Sequence, residues 1–200
     1  MRIKKLCVGM LTAGSVKTET CYCFVSSMFK TAGMVGCGLH FFMPSGGMID
    51  QARNEAAKEA LSVGASHLLF IDSDMTFPDD GILTLASRDK LIIGANYNLR
   101  RLPLMSTVKM SGENDEMISV IGEQIPKYPF KCYAVGTGFM LIRTEVFRML
   151  EGEKPWFFYE SKEDGTIGED VNFCKKARAK GIDVWCDPTI EVKHIGDYAY

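Results

Sequence analysis

Residues 67–81 read HLLFIDSDMTFPDDG. Leu68, Leu69, Phe70 and Ile71 form an unbroken apolar run that ends in Asp72-Ser73-Asp74. Such a run reads as a strand buried on both faces. Two carboxylates one residue apart repel each other unless positive charge sits beside them. That charge comes either from another side chain or from a cation taken out of solution.

The flanking sequence supplies the rest of an alternating pattern. Just upstream, MIDQARNEAAKEALSVG (48–64) is the strongest helical stretch in the chain. Ile49, Ala52, Ala56, Ala60 and Leu61 share one face, and Gly64 ends it. Further upstream, Ile3 to Leu11 reads as a buried strand closed by the turn Thr12-Ala13-Gly14-Ser15. A weaker helix is expected over 16–32, and a second strand over 34–44, stopped by Pro44-Ser45-Gly46-Gly47. After Pro78 comes a short helix with Asp79 and Asp80 at its N-terminal end, where the helix dipole favours acids. KLIIGANYN (90–98) is a fourth strand, and 97–130 is irregular and locally basic. Order returns with a strand around Phe139 to Ile142, a short helix from Thr144 and a helix over 168–181 closed by Gly181. Two short strands, IDVWCDP and IEVKHIG, finish the chain.

Strand, helix, strand, helix, strand predicts an α/β fold: a mixed, mostly parallel central sheet with helices on both faces. Ligands of such sheets bind at the carboxyl ends of the strands. Thr12, Ala13 and Gly14 end the first strand, and Asp72, Ser73 and Asp74 end the third. The acidic pair therefore falls where a ligand is expected. Hard carboxylate oxygens in that position suit Mg2+ or Mn2+ carrying phosphate oxygens.

Composition narrows the class. The chain has 200 residues, 46% hydrophobic and 24% charged, with a net charge of −2. One soluble domain is expected, with no overall basic excess for nucleic acid. Its seven cysteines are odd in number and mostly set in apolar runs, which favours a reduced, cytoplasmic setting. The N-terminal apolar run, about seven residues, is short for a secretory signal, and no run approaches a membrane span. No Gly-x-Gly-x-x-Gly follows the first strand, and no Gly-Lys-Ser/Thr loop occurs.

Three segments resemble, in order, the GT-A-fold glycosyltransferases of the Asp-x-Asp, family-2-like kind. ARNEAAKEALSVGASHLLFIDSDMTF (52–77) is similar to their nucleotide-sugar half. VGTGFMLIR (135–143) resembles their acceptor-side strand, and GEDVNFCKKARAKG (168–181) resembles the Glu-Asp helix of the inverting members. The resemblance covers most of the chain. It implies one GT-A-like, Rossmann-like domain over 1–200, with a nucleotide-sugar half of about 1–96 and an acceptor half of about 97–200.

The resemblance also implies roles. Asp74 would ligate a divalent metal, Mn2+ or Mg2+, and Asp72 would help through the ribose or a metal-bound water. His194 would complete the metal site. Arg53 would face the nucleotide or diphosphate, with Ser73 beside the metal-binding pair. Thr12, Ala13 and Gly14 would lie near the base or ribose, and Gly136, Thr137 and Gly138 near the donor sugar. Asp170, with Glu169 next to it, would take the proton of the acceptor hydroxyl. The donor would be a UDP- or GDP-linked sugar. The acceptor hydroxyl would sit on a glycan, a protein, a small molecule or modified DNA, with inversion the favoured outcome.

Plainer readings stand beside these. Glu169 and Asp170 also suit a helix N-terminus, Arg53 an exposed helix face and His194 a core position. The aromatics of KPWFFYE (154–160) suit either a sugar platform or the core. Two rival functions remain. FIDSDMTF also fits the first motif of haloacid-dehalogenase-like phosphohydrolases, with Asp72 as nucleophile and Asp74 as general acid. A non-catalytic nucleotide-sugar-binding module is the other.

Overall fold

A seven-stranded sheet runs through the centre of the molecule, because apolar strands alternate with helices that must cover both its faces. The computed structural model describes residues 3–35, 37–44, 47–100, 102–114, 116–163 and 165–196. The first part of the chain forms β1 (Lys5–Leu11), α1 (Thr18–Val35), β2 (Gly38–Phe42), α2 (Ile49–Ser62) and β3 (His67–Asp72). Then come β4 (Met75–Thr76), α3 (Gly81–Ser87), β5 (Ile92–Ala95), β6 (Lys109–Ser111), β7 (Met117–Ser119) and β8 (Phe130–Cys132). The last part forms β9 (Phe139–Arg143), α4 (Glu145–Met149), β10 (Glu160–Lys162), β11 (Gly165–Ile167), α5 (Glu169–Ala179), β12 (Val184–Asp187) and β13 (Lys193–His194). The predicted stop at Ser45 and Gly46 lies outside the described residues.

The strand order is β2-β1-β3-β9-β5-β12-β8. β2, β1, β3, β5 and β12 run one way, while β9 and β8 run against their neighbours. β9 inserts between β3 and β5, so residues from both sides of position 96 build one sheet. The pleat splits β3 between two cores. Leu68 and Phe70 face α2, α4 and α5, against Ala56, Phe147, Phe157 and Phe173. Leu69 and Ile71 face α1 and α3, against Phe24, Met28, Ile82 and Leu85. Gly64 and Gly181 adopt φ of 66° and 75°, the left-handed geometry that closes α2 and α5 where the sequence places their ends.

The segment expected to be irregular is partly ordered. β6 and β7 pair as a hairpin, and Lys109 bridges to Ala134. The aromatic run is divided by burial rather than shared as a platform. Trp156 and Phe157 are core residues, and Trp156 donates its Nε1 hydrogen to the Leu150 carbonyl at 3.0 Å. Phe157 stacks on Phe173 at 4.5 Å and meets Phe70 edge-on at 5.4 Å. Among the described residues, no helix is long and apolar enough to cross a membrane.

Removing the Phe157 ring leaves a cavity where both stacking partners cannot collapse. Phe157→Ala is expected to lose about 3–5 kcal/mol of unfolding free energy, read from a denaturant transition.

Candidate active site

The strands deliver their carboxyl ends to one cleft of about 380 Å³. Thr12 and Ala13 follow β1, Asp72 ends β3 with Ser73 and Asp74 just after it, and Tyr97, Leu99 and Arg100 follow β5. α2 contributes Arg53, the approach to β9 contributes Thr137, α5 contributes Glu169 and Asp170, and β13 contributes His194. Most residues singled out in the sequence therefore meet in one place.

Asp72 is fixed by backbone and charge. Its N–H donates to the Gly138 carbonyl at 3.1 Å, and the next N–H, of Ser73, donates to Leu11 at 3.0 Å. Its Oδ1 lies 3.2 Å from Nη2 of Arg53, whose Nε donates to Oε1 of Glu169 at 2.9 Å. Arg53 is thus not an exposed helix residue: only 2% of it reaches solvent, and its guanidinium lies 5.3 Å over the Phe70 ring. Burial would weaken its charge, but Asp72 and Glu169 outweigh that and hold it protonated. The neighbouring Asn54 is spent on structure. Its Oδ1 accepts from Trp156 and Phe157, and its Nδ2 donates to Asp50 and Phe157.

Asp74 has different partners. β13 pairs antiparallel with β4, setting His194 opposite Met75 and so beside Asp74. Nε2 of His194 lies 3.2 Å from Oδ1 of Asp74, and Nη1 of Arg100 lies 2.7 Å from Oδ2. Burial would raise the Asp74 carboxyl, yet His194 and Arg100 outweigh it and keep the group below its ordinary value. The acidic pair thus has a positive partner on each carboxylate.

The donor set suits a divalent cation at Asp74 and His194. Cis ligands held about 2.1 Å from an octahedral ion stand about 3 Å apart, close to the 3.2 Å between Oδ1 and Nε2. Nδ1 of His194 is buried with no hydrogen-bond partner. Asp72 stands aside from this pair, turned to Arg53, and among the described residues no three His, Cys, Asp or Glu side chains gather around one point. Bound oxygen ligands or water must complete any coordination shell.

Across the cleft, Glu169 and Asp170 open α5. Glu169 is taken up by Arg53. Asp170 lines the cleft, and its Oδ1 accepts from the Val171 N–H at 2.7 Å. Burial, then the Glu169 carboxylate beside it, push the Asp170 carboxyl up to about 6. That value suits a base working near neutrality.

Gly14, Gly136 and Gly138 do not line this cleft. The two last are small for another reason. A Cβ on Gly136 or Gly138 would come within 2.5 or 2.6 Å of the Tyr97 hydroxyl, which accepts the Gly138 N–H at 2.8 Å. Thr137, between them, faces the cleft with its buried Oγ1 unpartnered.

Tyr97 and Arg100 were not assigned chemistry individually from the sequence. Both follow β5, so the rule that placed Thr12 and Asp72 at strand ends applies to them equally. Arg100 belongs to the basic NLRRLP stretch, whose Arg101 lies outside the described residues.

The order of strands, the inserted antiparallel β9 and the cleft at the ends of β1, β3 and β5 define a GT-A-like glycosyltransferase fold, and solved structures agree. A197 from STIV superposes with a TM-score of 0.65 at 16% identity, over 98% of this chain and 87% of that one. GalNAc-T7, solved with UDP, GalNAc and Mn2+, matches with a TM-score of 0.59 at 12% identity, over 97% of this chain. S. aureus TarS 1–349 matches with a TM-score of 0.50 at 15% identity, over 92% of this chain. This chain spans 44% of the GalNAc-T7 chain and 60% of the TarS chain. No protein-family model and no curated protein matches the sequence. At these identities the likeness speaks for the fold.

Two outcomes follow from the charges. Arg53→Met leaves the buried Glu169 and the half-buried Asp72 without their cation, and is expected to lose about 3–5 kcal/mol in a denaturant transition. Adding Glu169→Gln should restore part of that loss, which a double-mutant cycle measures. Asp170 behaves oppositely. Folded, it holds its proton up to about pH 6; unfolded, it releases it near 3.9. Its stabilising share is therefore whole below about pH 4 and lost as pH rises through about 6. Asp170→Asn should unfold later than wild type at pH 8, by on the order of 1 kcal/mol after allowing for solvent screening, and equally at pH 4.

Proposed function

We propose that the protein is a metal-dependent glycosyltransferase that moves a sugar from a UDP- or GDP-linked donor to an acceptor hydroxyl with inversion. The observation that carries this reading is the meeting of Asp74 and His194 with Asp170 in one cleft of a GT-A-like fold. Charge balance supports it. Four carboxylates, Asp72, Asp74, Glu169 and Asp170, line the cleft with two guanidinium groups, Arg53 and Arg100. Two negative charges are left over when His194 is neutral, so a diphosphate needs a cation before it can enter.

Each residue then has a task. Asp74 and His194 would hold Mn2+ or Mg2+, which supplies Lewis-acid charge for the diphosphate leaving group. Arg100, whose side chain is 49% exposed, is able to turn from Asp74 to the phosphates. Arg53 keeps Asp72 and α5 in register, and Asp72 and Ser73 present polar groups to the ribose side of the donor. Thr12 and Ala13 border the nucleoside end, and Thr137 the sugar. Asp170 accepts the proton of the acceptor hydroxyl as its oxygen attacks the anomeric carbon. The bond from that carbon to the phosphate oxygen breaks, and the electron pair leaves with the nucleoside diphosphate. Asp170 fits the base better than Glu169, which is already held by Arg53.

The phosphohydrolase alternative asks Asp72 to be a nucleophile, yet Oδ1 of Asp72 is ion-paired to Arg53. The basic 97–131 segment keeps modified DNA among the acceptors, beside glycans, proteins and small molecules. Transfer to DNA would weaken steeply with added salt, and salt-insensitive transfer would argue against it.

Calorimetric titration of UDP and GDP, with Mn2+ and with EDTA, tests the donor half. One nucleotide is expected to bind only with metal, and Asp74→Ala to abolish that binding. Unchanged affinity in the variant would remove Asp74 from the metal site. Asp170→Asn tests the base: turnover should fall about 10²–10⁴-fold with donor binding retained. In wild type, kcat/KM should drop as pH falls through about 6. A variant that binds donor and turns over normally would take the role from Asp170.

A further inference from the structure

α1 and the outer edge of β2 carry an apolar surface that the cleft does not use. α1 has two charged residues along its length, Glu19 and Lys30. Lys30 is engaged by Asp79 at 2.8 Å. A surface helix normally keeps a charged face toward water. α1 instead turns Tyr22 and Phe29 outward, each 77% exposed, with Val25 on the same face. β2 is the end strand of the sheet. Its Phe41 meets Phe24 of α1 with ring centroids 5.0 Å apart. Leu39 and Phe41 therefore lie on the α1 side of the sheet, and both are exposed, as is Met43 beyond them. His40 points to the opposite face, against Glu59 of α2 at 2.8 Å.

We propose that this surface joins two copies of the chain. β2 pairs antiparallel with β2 of the second copy about a two-fold axis normal to the sheet, and the two α1 helices pack side by side. Antiparallel edge pairing lets one strand be its own partner, which a closed two-fold dimer requires. The register that pairs all of Gly38–Phe42 sets Leu39 opposite Phe41 of the second copy. No charge on Tyr22, Val25, Phe29, Leu39, Phe41 or Met43 opposes the meeting of identical faces. Aromatic side chains cover about 150–250 Å² each, so these six exposed residues offer roughly 600 Å², at the upper end of patches on monomers. A standard interface needs about 800 Å² a side, and the paired β2 backbones supply the remainder. A lipid surface would call for a basic rim, and the one lysine of α1 is already paired. The axis sends the two clefts in opposite directions, so each copy keeps its own site and the inference stands apart from the proposed activity.

Light scattering after size exclusion, at micromolar chain concentration, tests it. Wild type should elute with the mass of two chains. The double variant Tyr22→Glu, Phe29→Glu should have the mass of one, with the dimer dissociation constant raised at least about 100-fold. Phe41→Lys alone, which places a charge on the edge itself, should weaken the dimer in the same direction and decides the matter if the double variant loses its circular dichroism. A wild type that stays monomeric overturns the proposal. So does a dimer unmoved by these variants. A monomer that floats with phosphatidylcholine–phosphatidylserine vesicles through Phe29 also overturns it and assigns the face to lipid.

Discussion

Arg53 lies between two carboxylates that belong to distant parts of the chain. It joins Asp72, at the end of the central strand β3, to Glu169, at the start of α5. A buried charge left without partners is far costlier than a buried pair is favourable. The three side chains are therefore bound to one arrangement, and the elements that carry them follow. α2 must approach β3 closely, and its small residues Ala52, Ala56, Ala57 and Ala60, all buried, permit that. α5 must aim its first turn at the end of β3, which brings Asp170 to the cleft. The same guanidinium lies over Phe70, so the site's charge network is continuous with the aromatic core of Phe70, Phe157 and Phe173.

The other acid is held more loosely, and the difference has a physical basis. Asp72 faces a cation that is almost wholly buried and cannot leave. Asp74 faces Arg100, with 49% of its side chain exposed, and an imidazole delivered by the short strand β13. Two carboxylates one residue apart thus divide into a structural member and an exchangeable one. Strand alternation alone would put positions 72 and 74 on one side; the strand ends at Asp72, and the turn at Ser73 and Asp74 breaks that period and carries Asp74 to Arg100 and His194.

The parts of the fold that rest on local pattern were legible in the sequence. The apolar run before Asp72, the alanine face of α2 and the capping glycines Gly64 and Gly181 specify their own elements. The ligand-edge rule also placed Thr12, Ala13, Asp72, Ser73 and Asp74 at one cleft. What could not be read locally depends on pairings across the sheet. β9 runs antiparallel between β3 and β5, and no residue in Phe139–Arg143 announces a direction. The burial of Arg53 follows from Glu169, more than a hundred residues away. Gly136 and Gly138 looked like room for a sugar, and their smallness instead serves Tyr97, a residue that only the fold brings to them. Trp156 and Phe157 show the same limit: a row of aromatics is identical in sequence whether it faces a ligand or a core.

The cleft and α1 depart from the rules of a stable soluble domain in opposite ways. The cleft gathers more negative charge than its own cations balance, and Asp170 bears the strain by holding its proton up to about pH 6. Sequence consistency predicts that such violations sit where a partner completes the balance. For the cleft the missing component is positive charge. For α1 the missing component is apolar cover over Tyr22 and Phe29. The two deficits differ in kind, charge in one place and water-exposed carbon in the other, so no single partner meets both. They lie apart on the sheet, one at the carboxyl ends of the central strands and one along its outer edge, and each is open to its own partner without blocking the other.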